Sequence, residues 1–294
     1  MRQPKIIGIG IATMDIYCHQ NRMYPGGNEF NIAYHAKKQG AETAFMGVFA
    51  NDKAGAILEN TLQQAGVDTK HSHHEIGSSG YSKVELVNGD RVFGEVNFNG
   101  VTDRFPIQFT MEEVAYIKTY DIACISRGAR VSNEKVKMLA EQGIKICYDF
   151  YDNFSDKDIL EISPYVEISF LSSSHLSEAE TKNILKEVVG LGCSLAVGTR
   201  GEKPTIAYDG QQFYSQEICR VKAIDTMGAG DSFISAFLMN YLSAAADELG
   251  PAENKIKASL QCAAEYAAKV VVIDGSLGVS YNINSQELSE YFNV

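Results

Sequence analysis

The segment Ile224-Asp225-Thr226-Met227-Gly228-Ala229-Gly230-Asp231-Ser232-Phe233 holds the residues best suited to chemistry in this chain. It runs into Ile234 to Leu242, an apolar stretch with Ala236, Phe237 and Leu238 that suits a buried helix. The glycines therefore stand where a helix begins, with backbone N–H groups that lack intrahelical partners and a positive macrodipole. Gly228, Ala229 and Gly230 can bring several such donors close to a transferring phosphoryl group, and no lysine is required. An aspartate directly after this cradle would repel phosphate if anion binding were its whole purpose. Asp231 makes better sense as a base that holds a hydroxyl in line with the γ-phosphorus of ATP and accepts its proton. The plain alternative is a helix start in which Asp231 only caps.

The elements that must position these groups read as an alternating α/β chain. Lys5 to Ile11 reads as a buried strand, and Asn28 to Gln39, after a Gly-Gly turn, as a helix carrying Phe30, Ile32, Ala33 and Ala36. Thr43 to Phe49, Ile122 to Ile125, Ile144 to Asp149, Ile168 to Leu171 and Leu195 to Gly198 read as further buried strands. Helices are expected over Ala54 to Ala65, Asn133 to Gln142 and Ser177 to Gly190. Such alternation predicts a mainly parallel sheet covered by helices on both faces. The region from Ser79 to Asn99 differs, because Tyr81 to Val87 and Arg91 to Val96 flank an Asn88-Gly89-Asp90 turn. This hairpin signature predicts a projecting β-lid over the site.

Bulk properties bound the function. With 294 residues, 45% hydrophobic and 21% charged, the chain has enough apolar material to fold throughout as one domain. A net charge of -11 argues against broad attachment to nucleic acid or an anionic membrane, so phosphate must be bound locally. No apolar run reaches membrane-spanning length, and the N-terminus lacks a signal-peptide core. The six cysteines stand far apart without a C-x-x-C pair, which fits a reducing cytoplasm.

Asp225 to Asp231 resembles the D-T-x-G-A-G-D signature of the ribokinase-like, or PfkB, carbohydrate kinases. Gly26-Gly27-Asn28-Glu29-Phe30-Asn31-Ile32-Ala33 resembles the G-G-x-x-x-N-x-A substrate motif of the same family, so the likeness spans most of the chain. It implies a three-layer α/β/α ribokinase-like fold with a small β-lid, with lid segments near 12–25 and 76–104. It implies Gly228, Ala229 and Gly230 as the anion hole, Asp231 as the base, and Asp225 and Thr226 near a monovalent cation such as K⁺. Asp15, Gly26, Gly27, Asn28 and Asn31 would then meet substrate hydroxyls. Thr199-Arg200-Gly201-Glu202-Lys203-Pro204 resembles the family's T-x-G-x-x-G nucleotide loop, with Thr199 and Gly201 as ATP contacts and Pro204 in place of the last glycine. Glu178, in a motif where His175 replaces an asparagine, would organise water around Mg²⁺.

Within that family, Asp15-Ile16-Tyr17, Pro25 to Asn28, Asp90 to Gly94 and Ile224 to Gly228 look most like members that phosphorylate the 6-hydroxyl of a fructosyl-amino acid such as fructoselysine. Arg91 on the lid would then face the carboxylate of the amino-acid part. A fructokinase or ribokinase type of sugar kinase is the rival reading, and a non-catalytic sugar-binding protein a further one. Gly8-Ile9-Gly10 raises a dinucleotide-binding oxidoreductase, but Thr13 stands where the third glycine belongs. His71, His73 and His74 raise a metal protein, without a recognisable ligand spacing. A homodimer is expected, because Tyr81, Val84 and Leu86 would give the lid an apolar face.

Overall fold

The computed structural model describes residues 2–87, 90–243, 252–283 and 288–293. The first part of the chain forms β1 (Lys5–Ile9), β2 (Thr13–Tyr17), β3 (Arg22–Gly26), α1 (Asn28–Lys38), β4 (Glu42–Met46), β5 (Val48–Ala50), α2 (Lys53–Ala65), β6 (His73–Glu75), β7 (Gly80–Val87) and β8 (Asp90–Val96). The middle forms α3 (Val101–Arg104), α4 (Met111–Ile117), β9 (Ile122–Ser126), α5 (Asn133–Glu141), β10 (Ile146–Asp149), α6 (Asp156–Ile162) and β11 (Ile168–Ser172). The rest forms α7 (Glu178–Gly190), β12 (Leu195–Arg200), β13 (Lys203–Tyr208), β14 (Phe213–Gln216), α8 (Ala229–Ser243), α9 (Ala252–Val270) and β15 (Tyr281–Asn282).

Eight strands make the main sheet, in the order β14-β13-β12-β11-β10-β9-β1-β4. The strands from β12 to β4 pair in parallel, while β13 and β14 turn back antiparallel at one edge. Apolar residues on both faces explain why the strands are near-continuous hydrophobic runs. Successive residues in β1 show it: Ile6 joins Phe170, Val197, Phe237 and Leu260 under α1, α8 and α9, and Ile7 joins Ile125, Leu139 and Leu185 under α5 and α7. These are the three α/β/α layers expected from the alternation. The antiparallel edge arises because Arg200 pairs with Lys203 across a tight turn in which Gly201 has φ +61°.

The lid is a second sheet of five strands, in the order β15-β3-β2-β7-β8. The sequence predicted the hairpin β7–β8, but its tip at 88–89 lies outside the described residues. The hairpin is not a free arm. Met14, Ile16 and Met23 bury one face of the lid sheet against Phe30, Leu58 and Leu62 of α1 and α2. The other face carries Tyr17, Tyr24 and Val84, packed with Met227 from the glycine-rich loop. Tyr81 is buried against Phe292, with ring centroids 4.9 Å apart. Tyr81 and Val84 therefore offer no apolar face to a second subunit, and the side chain of Leu86 lies outside the described residues.

His71 lies just before β6, and His73 and His74 are in that strand, which pairs with β5. His73 Nε2 meets Glu113 at 2.6 Å, His74 Nε2 meets Glu59 at 2.9 Å, and His71 lies over Tyr116. The three rings thus diverge to separate partners, and the described residues hold no cluster suited to a metal ion.

A buried hydrogen bond ties the lid sheet to the loop before α8: the Tyr17 hydroxyl donates to Asp225 Oδ2 at 2.7 Å, and Asp225 is fully buried. Removing a donor from a buried carboxylate is costly, so Tyr17→Phe is expected to lower unfolding stability by about 1.5–3 kcal/mol in a urea titration.

Candidate active site

The C-terminal ends of the parallel strands open onto the first turns of α1 and α8, which pack together. Gly27 precedes α1 with φ +122°, and a Cβ there would fall 2.3 Å from the Ile11 carbonyl oxygen, so only glycine lets the helix start here. Asn28 and Asn31 follow on one face of that first turn. Asn28 Nδ2 donates to Asp231 Oδ1 at 2.8 Å, and Asn31 Nδ2 donates to Asp231 Oδ2 at 2.7 Å. Both oxygens of the carboxylate are thereby fixed by amides. The carbonyl oxygens of the same two asparagines are buried and have no hydrogen-bond partner among the described residues. A Cβ on Gly26 would lie 2.8 Å from Asp15 Oδ2 and 3.8 Å from Asn31 Oδ1, which places buried Asp15 beside this cluster. Five of the six expected acceptor contacts, Asp15, Gly26, Gly27, Asn28 and Asn31, thus gather around Asp231. The sixth, the Arg91 side chain, lies outside the described residues.

The glycine-rich loop has a backbone reason for its composition. Gly228 has φ +72°, and a Cβ would fall 1.9 Å from Ser276 Oγ. Around Gly230 a Cβ would meet nothing within 4 Å, so the fold itself does not demand glycine there and the open space faces outward. Ala229 opens α8 and Asp231 is its third residue. Asp225 anchors the loop: Oδ1 accepts from Met227 N–H at 2.9 Å, and Oδ2 accepts from Tyr17 and from Gly275 N–H, each at 2.7 Å. Thr226 is half-buried, and its carbonyl accepts from Ala229 N–H at 3.2 Å.

Two acidic residues join the site that the motif reading passed over. Asp149, at the end of β10, accepts from Asn28 Nδ2 at 2.9 Å and from Tyr151 N–H at 3.0 Å. Burial pushes its carboxyl up to about 6, against hydrogen bonds from Tyr151 and Asn28 that hold it down. Glu29 is completely buried, with Oε2 accepting from Ile11 N–H at 3.2 Å and Oε1 unpartnered among the described residues. Burial pushes Glu29 up to about 7, and the charge of Asp231 acts in the same direction. Glu29 also explains Gly8-Ile9-Gly10. A Cβ on Gly8 would fall 2.3 Å from the Glu29 carbonyl oxygen, and one on Gly10 would fall 2.1 Å from Glu29 Oε2. These glycines admit α1 to the sheet; they do not cradle a dinucleotide.

The expected nucleotide residues stand apart from this cluster, on β12 and its turn. Thr199 is half-buried, with its hydroxyl donating to the Leu171 carbonyl at 3.4 Å, and Gly201 is exposed in the turn. The register of β12 against β13 shifts between Gly198 and Arg200. Pro204 follows the turn opposite this irregularity, where its missing N–H is tolerated. His175 is exposed before α7, its ring near Phe154. Glu178 is the first residue of α7, fully exposed and paired with Lys182, whose ammonium holds its carboxyl below the usual range.

The pattern of a glycine-rich helix start, an amide-clamped aspartate and a second sheet against them agrees with comparisons to known proteins. The description "pfkB family carbohydrate kinase" matches residues 4–280. The chain belongs to the pfkB family of carbohydrate kinases, phosphotransferases that act on sugar hydroxyls. It is 33% identical over 278 residues to fructosamine kinase FrlD of Bacillus subtilis (strain 168), covering 94% of each chain. It is 32% identical over 234 residues to fructoselysine 6-kinase of Escherichia coli (strain K12), covering 79% of this chain and 87% of that one. Among solved structures, Arabidopsis thaliana ribokinase complexed with ribose and ATP superposes with a TM-score of 0.77 at 17% identity, over 94% of this chain and 95% of that one. At that identity the likeness is one of fold.

Gly228→Ala is expected to lower kcat by about 10²–10³-fold, as loss of a preorganised anion donor does, because the backbone must leave its left-handed conformation. Steady-state kinetics checks it, with circular dichroism to confirm folding. For Glu29 the sign follows from a folded pKa of about 7 against an ordinary value of 4.5. Ionisation of the buried group removes stability as pH rises between those values. Glu29→Gln should therefore gain stability relative to the parent by about 3 kcal/mol between pH 4 and pH 8 in urea titrations.

Proposed function

We propose that this kinase moves the γ-phosphoryl group of ATP to the 6-hydroxyl of a fructosyl-amino acid. The observation that carries this reading is the clamp on Asp231, whose two amides each keep a buried carbonyl oxygen without a partner. A buried acceptor left unpaired costs about 1–3 kcal/mol, and sugar hydroxyls are the donors that would relieve it. Asp231 orients the attacking hydroxyl and takes its proton, while the N–H groups of Gly228, Ala229 and Gly230 receive the charge of the transferring group. The names of the Bacillus subtilis and Escherichia coli relatives support an amine-bearing fructose. So does the acidity of the cluster, where Asp15, Glu29 and Asp149 join Asp231 and where burial pushes Glu29 and Asp149 up, opposed by hydrogen bonds rather than by basic side chains. The secondary ammonium of a fructosyl-amine answers that charge.

On the donor side Thr199 and Gly201 serve the nucleotide. Glu178 fits Mg²⁺ through water, since its carboxylate is exposed and the ion commonly keeps several waters. When bound, Mg²⁺ neutralises phosphate charge. Asp225 and Thr226 serve a monovalent cation by shaping the loop carbonyls around it. No helix among the described residues is long and apolar enough to cross a membrane, and all six cysteines are free, which supports a cytoplasmic setting.

The test is coupled ADP release with Mg-ATP and K⁺ across fructoselysine, other fructosyl-amino acids, fructose and ribose. The highest kcat/KM is expected with a fructosyl-amino acid; a preference for free fructose or ribose would replace that acceptor by a plain sugar. Asp231→Asn should lower kcat by at least about 10²-fold, because the proton acceptor is gone, while ATP affinity by calorimetry stays within about twofold. Turnover near that of the parent would remove Asp231 from the mechanism.

A further inference from the structure

The two hydrogens of the Asn28 side-chain amide are both committed. One goes to Asp231 Oδ1 at 2.8 Å and the other to Asp149 Oδ2 at 2.9 Å, so a single amide group bridges two carboxylates. We propose that Asp149 is a positioning residue for phosphoryl transfer: it fixes the Asn28 amide so that the nitrogen serves Asp231 and the carbonyl oxygen is left for an acceptor hydroxyl. This rests on the reading of Asp231 as the base.

The argument is one of donors and acceptors. If the amide turned over, Asn28 Oδ1 would face both carboxylates, acceptor against acceptor. Asp231 alone opposes that rotation through one contact, and Asp149 adds the second. Asp149 itself is held, because its Oδ1 accepts from Tyr151 N–H at 3.0 Å in a turn where Tyr151 has φ +61°. The Tyr151 hydroxyl in turn meets Ser126 Oγ at 2.8 Å, which ties the turn to the end of β9. A carboxylate is needed at 149, since two donors approach two different oxygens. An asparagine there could accept from one of them and would turn its own NH₂ toward the other. A merely structural buried aspartate would need no link to Asp231. Here the link is direct, through one nitrogen atom.

Two measurements test it. The first needs no substrate: the side-chain amide protons of Asn28, assigned by their loss in Asn28→Ala, are followed by ¹H–¹⁵N NMR. Both should be protected from exchange in the parent, and at least one should lose protection in Asp149→Asn. Unchanged Asn28 protons would overturn the bridge. The second is a kinetic cycle with the acceptor that the parent turns over best. Asp149→Asn should lower kcat by about 10- to 100-fold through misplacement of the reacting groups, with KM for ATP within about twofold. Added to Asn28→Ala, the same change should alter kcat by less than about twofold. A full, additive loss in the Asn28→Ala background would show that Asp149 acts on its own and would overturn the proposal. Asp149→Ser, which can accept from Tyr151 but cannot span to Asn28, replaces Asp149→Asn if that variant does not fold. Failure of the parent on every acceptor would refute the fructosyl-amino acid reading, and the NMR result would still decide the bridge.

Discussion

The structure depends on a meeting of two helix N-termini. Asn28 opens α1, Asp231 lies in the first turn of α8, and the hydrogen bonds between them show that two positive helix ends converge on one point. Alone, such ends would repel each other and leave several N–H groups unmet. The carboxylates supply the compensation. Asp231 lies between the two ends, Glu29 inserts beneath α1 against Ile11, and Asp149 closes the far side of Asn28. The glycines follow from the same demand for close approach: Gly8 and Gly10 make room for Glu29, and Gly27 makes room for Ile11.

A second consequence concerns how the lid sheet and the glycine-rich loop are joined. Asp225 receives Tyr17 from β2, Gly275 from the segment after α9, and Met227 from the loop itself. Three parts of the chain that are remote in sequence therefore share one buried carboxylate, and a shift of β2 must be felt at Gly228. Asp15 stands two residues before Tyr17 on the same face of β2. The strand that carries the proposed acceptor contact is thus the strand that ties down the glycine-rich loop.

Much of this was legible in the residue order, for reasons that can be stated. The parallel sheet showed because buried strands are runs of Ile, Val and Ala, and Gly228 to Asp231 stood out because the residues of a proposed cradle and base are neighbours in sequence. The strand β15 did not show, since two residues, Tyr281 and Asn282, carry no periodic signal and pair with β3 only through tertiary contact. Asp149 and Glu29 were hidden for a different reason. Each has its meaning through a partner far along the chain, Asp149 through Asn28 and Glu29 through Gly10. The hairpin β7–β8 showed as a projecting lid, and the resemblance added a segment near 12–25, but the edge strand β15 from the far end of the chain completes the sheet.

The distribution of charge also divides the site into two halves. If the α8 N-terminus receives the phosphate as proposed, the positive end of the helix does so without a basic side chain being necessary. On the other side of Asp231 lie Asp15, Asn28, Asn31, Glu29 and Asp149, a set of acceptors that disfavours any anion. A polyphosphate that enters the wrong half of the site meets carboxylates at short range in a medium of low dielectric, where like charges repel strongly. An uncharged or cationic acceptor meets no such barrier. Asp231 stands on the boundary between the two halves, where the proposed transfer of a proton from the acceptor hydroxyl would cross no more than the width of a hydrogen bond.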